Sequence, residues 1–210
     1  MNLNQYHRYI NLKDRVDRDI LCKDQLRQIG ISKPKRFNAF KTKDGAIGCF
    51  MSHLSIIQDA KNNSYPYILV CEDDVVFKDH YKMLEKIDNM KDDDWDVLLL
   101  GGNMFAPYSI HSEDAYRIHK CFCGTAYIVR QHYYDTLINT WQPDLAELVK
   151  TGSRDYALDV SWFPLQQRDK WLLIRPLQVY QRPDYSNIEK RDVDYTDLML
   201  SEKGAPYILK

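Results

Sequence analysis

Tyr67-Ile68-Leu69-Val70-Cys71-Glu72-Asp73-Asp74-Val75 is the stretch from which the fold is read. Its first residues are mostly β-branched or apolar and run straight into three consecutive carboxylates; Val75-Val76-Phe77 then resume the apolar character. An apolar run this short, with little alternation and with Pro66 before it, predicts a strand buried on both faces. Three acids cannot share that interior, so they belong at the strand's C-terminal end, the sheet edge where open α/β folds bind ligands. Clustered hard oxygens there suit Mg²⁺ or Mn²⁺ shared with a phosphate. A polar turn between strand and helix is the other reading of the triplet, because acids also end strands for solubility.

The totals narrow the choice of class. At 210 residues, with 44% hydrophobic and 28% charged, the chain fits a single domain, residues 1–210, with a core over about 8–190 and a C-terminal tail over about 190–210. A net charge of −1 argues against general nucleic-acid binding. The first residues lack an apolar core of signal-peptide length and no apolar run reaches the length of a transmembrane segment, which predicts a cytoplasmic location. Five cysteines (Cys22, Cys49, Cys71, Cys121, Cys123) form no CxxC pair, argue against a zinc or disulfide framework, and fit a reducing compartment.

Working outward, Tyr9-Ile10-Asn11-Leu12 predicts a strand. After it Val16, Ile20, Leu21, Leu26 and Ile29 fall near helical spacing, with Gly30 as the stop. No Gly-rich phosphate loop joins strand and helix, which excludes a dinucleotide fingerprint and a P-loop. Arg15 and Arg18 at the helix start could meet a pyrophosphate or be plain surface charges. Residues 33–40 predict a second strand, and 45–60 a helix with Phe50, Leu54 and Ile57 inward and Ser52 and His53 beside them. Residues 78–91 predict a helix with Tyr81, Leu84 and Ile87 inward, 95–102 a strand, 103–118 an irregular connection, 121–129 a strand, and 131–140 a helix. Asp155 and Asp159, four apart, would share one face of a helix, and 172–181 closes as one strand, with a charged tail from about Glu189.

In this order the segments resemble glycosyltransferase family 25, which includes lipooligosaccharide and collagen-type galactosyl- and glucosyltransferases. The resembling pieces are Ile10-Asn11-Leu12 with Arg15 and Arg18, Gly48-Cys49 with Ser52-His53, Glu72-Asp73-Asp74-Val75, Gly124-Thr125-Ala126-Tyr127, and Gln181 with Ser186-Asn187-Ile188. The resemblance implies a GT-A type α/β fold: one Rossmann-like, mostly parallel sheet flanked by helices. It implies transfer of a hexose, galactose or glucose, from a UDP-sugar to a hydroxyl of a glycan or hydroxylysine-like acceptor, with inversion and with Mn²⁺ or Mg²⁺. Asp74 and Glu72 would hold the metal. Asn11, Leu12, Arg15, Arg18, Ser52, His53, Glu72, Asp73 and Gln181 would form or support the donor site. Asp159, or secondly Asp155, would be the catalytic base.

Two departures qualify this. Asn187 stands where the family usually has Asp, and the last histidine is His132, so no late histidine is available to a metal. A catalytically degenerate protein that binds a nucleotide-sugar or glycan is the competing expectation. A metal-dependent phosphohydrolase or nucleotidyltransferase ranks behind both.

Overall fold

The computed structural model describes residues 1–202; the expected tail beyond Glu202 lies outside them. The chain begins β1 (His7–Asn11), α1 (Val16–Gln28), β2 (Arg36–Asn38), α2 (Gly45–Asn62), β3 (Tyr67–Glu72), β4 (Val75–Phe77) and α3 (His80–Asn89). Five short strands and one longer one follow: β5 (Val97–Leu99), β6 (Asn103–Met104), β7 (Tyr108–Ile110), β8 (Ala115–Ile118), β9 (Cys121–Phe122) and β10 (Ala126–Arg130). Next come α4 (Tyr134–Thr151), α5 (Leu158–Ser161), α6 (Phe163–Arg168) and β11 (Trp171–Ile174). The last elements are β12 (Val179–Gln181), β13 (Asp184–Ser186), β14 (Arg191–Val193) and α7 (Thr196–Leu200).

An eight-stranded sheet in the order β2-β1-β3-β10-β5-β11-β8-β7 forms the frame. β2, β1, β3, β5, β11 and β7 run one way, and β10 and β8 run against them, so the sheet is mixed with one direction dominant. Alternation along each central strand divides the interior in two. Ile68, Val70, Val97, Leu99, Tyr127 and Val129 face one apolar layer, with Phe50 of α2 and Trp141 of α4. Leu69, Cys71, Leu98, Ala126 and Ile128 face the other, with Leu26 of α1 and Met83 of α3. β3 is therefore buried on both faces, as its unbroken apolar run predicts.

Several expectations are corrected. In α1 the buried residues are Asp19, Cys22 and Leu26, while Val16 and Ile20 are 59% and 61% exposed and Leu21 is exposed as well. The helix is rotated because Asp19 has internal partners: Tyr9 Oη donates to it at 2.7 Å and Lys23 Nζ at 2.5 Å, so a carboxylate can sit where apolar periodicity places a Leu. Tyr81 is 77% exposed; α3 buries Met83 along with the expected Ile87, and Leu84 packs partly buried against the core. Residues 103–118 are not irregular, since β7 and β8 pair and add the last two strands of the sheet. Residues 172–181 form two strands, β11 in the main sheet and β12 paired antiparallel with β4. The charged tail after Glu189 is structured at least through α7, which buries Met199. No helix among the described residues is long and apolar enough to cross a membrane.

Candidate functional site

β1 and β3 are parallel neighbours with Ile10 opposite Glu72, so Asn11 and Asp73 emerge together at the C-terminal edge of the sheet. Asn11 Nδ2 donates to Asp73 Oδ2 at 2.8 Å and to the Arg15 carbonyl at 3.0 Å, tying strand end, acidic turn and start of α1 together. Arg18, in the first turns of α1, places Nη1 3.1 Å from Asp73 Oδ1 and 3.4 Å from Asp74 Oδ2. Its Nε donates to Asp184 Oδ2 at 2.9 Å, and Arg15 Nη2 donates to that same oxygen at 2.7 Å. Burial works against the Arg18 charge, but Asp74 and Asp73 more than offset it and its pKa is raised.

Beyond the acidic turn, the β4–β12 ladder sets Val75 opposite Gln181, and Arg182 N–H donates to the Asp74 carbonyl at 2.7 Å. That register brings Gln181 Nε2 to Glu72 Oε2 at 3.1 Å. The other Glu72 oxygen lies 3.3 Å from His53 Nε2 and 4.0 Å from Cys49 Sγ. Asp159, at the start of α5, accepts from the Cys123 N–H at 3.2 Å. Burial, then repulsion from Glu72, raises its pKa, while His53 acts in the opposite sense.

Asp74 is the most perturbed acid of the group. Burial, then the charges of Glu72 and Asp73, push its pKa up to about 8 against the pull of Arg18. Its Oδ1 is buried and has no hydrogen-bond partner among the described residues. Such an oxygen is costly to leave unpaired, and a divalent cation would satisfy it and offset the crowded negative charge. The unpaired Asp74 oxygen with the nearby Glu72 charge, hard oxygens beside Arg15 and Arg18, is of the chemical type that suits Mg²⁺ or Mn²⁺.

The structure thus brings together Asn11, Arg15, Arg18, Glu72, Asp73, Asp74, Gln181, His53 and Asp159. Leu12 lies just outside, lining a shallow cavity of about 450 Å³ with Lys13, Asp14, Ala39 and Lys41. Ser52 is a strut: it accepts from Phe40 N–H at 3.0 Å and donates to the Gly48 carbonyl at 2.7 Å, joining the segment after β2 to α2. Asp155 is exposed, with Ser153 as its side-chain partner. It does not share a helical face with Asp159, because the short helical turn Arg154–Tyr156 ends and Ala157 is extended before α5 starts. Arg154 pairs with Asp44, the residue that caps α2. Asn187 lies against the same helix end, with its carbonyl 3.1 Å from where a Cβ on Gly45 would stand.

Sequence reasoning passed over Asp184 and Tyr127. Asp184 has no local pattern, since its arginine partners are 166 and 169 residues away. Tyr127, within the quoted Gly124–Tyr127 piece, holds His53 Nδ1 at 2.7 Å.

A β-α-β-α-β half carrying acids at the end of β3, with a reversed strand, β10, beside it, defines the GT-A type of nucleotide-diphospho-sugar transferase fold. The sequence model of "Glycosyltransferase family 25 (LPS biosynthesis protein)" matches residues 32–141, and the chain belongs to that family. The match includes Ser52, His53 and the acidic triplet but neither Arg18 nor Asp159. A mouse relative, "Inactive glycosyltransferase 25 family member 3", is 27% identical over 104 residues, 45% of this chain and 17% of the relative. The chain therefore corresponds to about a sixth of that relative's length. Among solved structures, A197 from STIV aligns over 96% of this chain and 97% of its own, with 10% identity and a TM-score of 0.50, a likeness of fold alone. A glycosyltransferase involved in the glycosylation of the major capsid of PBCV-1 aligns over 80% of this chain and 92% of its own, with 11% identity and a TM-score of 0.43.

Proposed function

We propose that this protein transfers a hexose, galactose or glucose, from a UDP-sugar to a hydroxyl on a glycan or hydroxylated peptide, with inversion. The observation that carries this reading is the buried, unpartnered Asp74 Oδ1 beside Arg18 at the C-terminal edge of β3. Asp74 and Glu72 would hold Mn²⁺ or Mg²⁺, which when bound supplies positive charge to the departing diphosphate. Arg15 and Arg18 would bind the diphosphate from the start of α1, where the helix dipole adds to their charge. Asn11 holds Asp73 in place, and the cavity beside Leu12 offers room for the nucleoside. Gln181 fixes the Glu72 carboxylate from the far side. Asp159 would take the proton of the acceptor hydroxyl as that oxygen bonds to the anomeric carbon and the bond to the diphosphate breaks; its raised pKa makes the carboxylate a stronger base than an ordinary one.

A second reading, a binding protein without turnover, draws on Asp184, which already occupies both arginines, and on Asn187. A UDP-release assay across UDP-sugars and hydroxyl acceptors separates the two. Release from one preferred sugar, reduced by about 10²-fold or more in Asp159→Asn, supports the transferase. UDP binding without release under any acceptor supports the second reading.

A further inference from the structure

Cys49 and His53 are four apart on α2, so both project from one face toward the end of β3, where Glu72 meets them. Cys49 Sγ, His53 Nε2 and a Glu72 carboxylate oxygen all lie within 4.8 Å of one another. His53 is fully buried, and its Nε2 faces Glu72 Oε1 at 3.3 Å without forming a hydrogen bond among the described residues. A buried ring nitrogen set against a carboxylate with no formed hydrogen bond calls for an explanation. Its other nitrogen, Nδ1, lies 2.7 Å from Tyr127 Oη; with the ring proton on Nδ1 and Tyr127 accepting it, Tyr127 orients the imidazole and Nε2 keeps its lone pair for a cation. Gly124 keeps the neighbouring space open: a Cβ there would stand 3.3 Å from His53 Cε1 and 3.5 Å from Glu72 Oε1.

We propose that Cys49, His53 and Glu72 form a site for a borderline-soft divalent cation of the Zn²⁺ class, sharing Glu72 with the hard-oxygen site at Asp74 but otherwise made of different ligands. One sulfur, one imidazole nitrogen and one carboxylate oxygen are a Zn²⁺ donor set, and they disfavour Mg²⁺. Three protein ligands leave a fourth position for water. On binding, the Cys49 thiol gives up its proton to solvent and the thiolate pair is donated to the cation, with no change of oxidation state. Burial and the charge of Glu72 hold that thiol well above its ordinary pKa, so the cation itself must drive the ionisation. The sequence spacing hid this set because the carboxylate comes from a strand 19 residues further on, outside any CxxC pattern. Glu72 is common to both sites, so a cation here withdraws a carboxylate from the donor site.

Co²⁺ added to the intact, metal-free protein is the test, as a visible stand-in for Zn²⁺. One equivalent should bind with tetrahedral visible bands and a thiolate charge-transfer band, and Zn²⁺ should displace it. Cys49→Ser should abolish the charge-transfer band, and Tyr127→Phe should weaken Co²⁺ by about 10–100-fold. Asp74→Asn should leave the band intact, whatever it does to UDP binding. Circular dichroism verifies that each variant is folded, and Cys49→Ala repeats the test if Cys49→Ser is not. Absence of a thiolate band in the wild type, its survival in Cys49→Ser, or its loss in folded Asp74→Asn would each overturn the proposal.

Discussion

Arg18 Nε donates to Asp184 Oδ2 at 2.9 Å, so a residue of β13 closes over the basic end of α1. Arg15 reaches the same oxygen, and one carboxylate thus sits where the proposed diphosphate would be held. Asp184→Asn should keep the fold and remove a competing charge. We expect UDP affinity to rise about fivefold, the ~1 kcal/mol typical of a part-exposed ion pair. A titration of wild type and variant checks it, and unchanged or weaker binding would remove Asp184 from this role.

Asp74 makes stability depend on pH. Its folded pKa of about 8 lies above the ordinary carboxylate value, so the folded state holds a proton that the unfolded state has released. That contribution is whole below about pH 4 and is lost as pH rises through 8. The metal-free protein should melt at lower temperature at about pH 8.5 than at about pH 5. Asp74→Asn should flatten the profile, gaining roughly 2–4 °C at the alkaline end for each kcal/mol relieved. Some slope should persist, because burial raises Asp73 and Asp159 in the same direction. A profile as steep in Asp74→Asn as in wild type would contradict the assignment.

Gly48 is required by contact. A Cβ there would stand 2.3 Å from the Phe40 carbonyl oxygen and 2.9 Å from Thr42 Oγ1, where α2 passes the segment after β2. Gly48→Ala should cost about 1–3 kcal/mol in denaturant unfolding. It should also disturb Ser52, which bonds both Gly48 and Phe40. A loss under about 0.5 kcal/mol would mean the segment yields freely.

The central strand and its acids were legible because burial on both faces leaves an unbroken apolar run, and three carboxylates can only end it. The α2 helix was legible from Phe50, Leu54 and Ile57, all buried. The orientation of α1 was not, since Asp19 is buried through partners on β1 and on the helix itself, which apolar periodicity does not register. At the site, Glu72, Asp73, Asp74, Arg18 and Gln181, which the resemblance singled out, lie side by side. Asp184 and Tyr127 did not stand out, because each acts through a partner 74 or more residues away. The four-residue spacing alone puts Asp155 and Asp159 on one face, and the extended Ala157 between their helices parts them.

The most direct test is calorimetric titration of UDP into wild type and Asp74→Asn, with and without Mn²⁺. The account predicts binding that requires Mn²⁺ and is lost in Asp74→Asn while the variant remains folded. UDP binding that ignores both the metal and Asp74, or no UDP binding by the wild type, would contradict it.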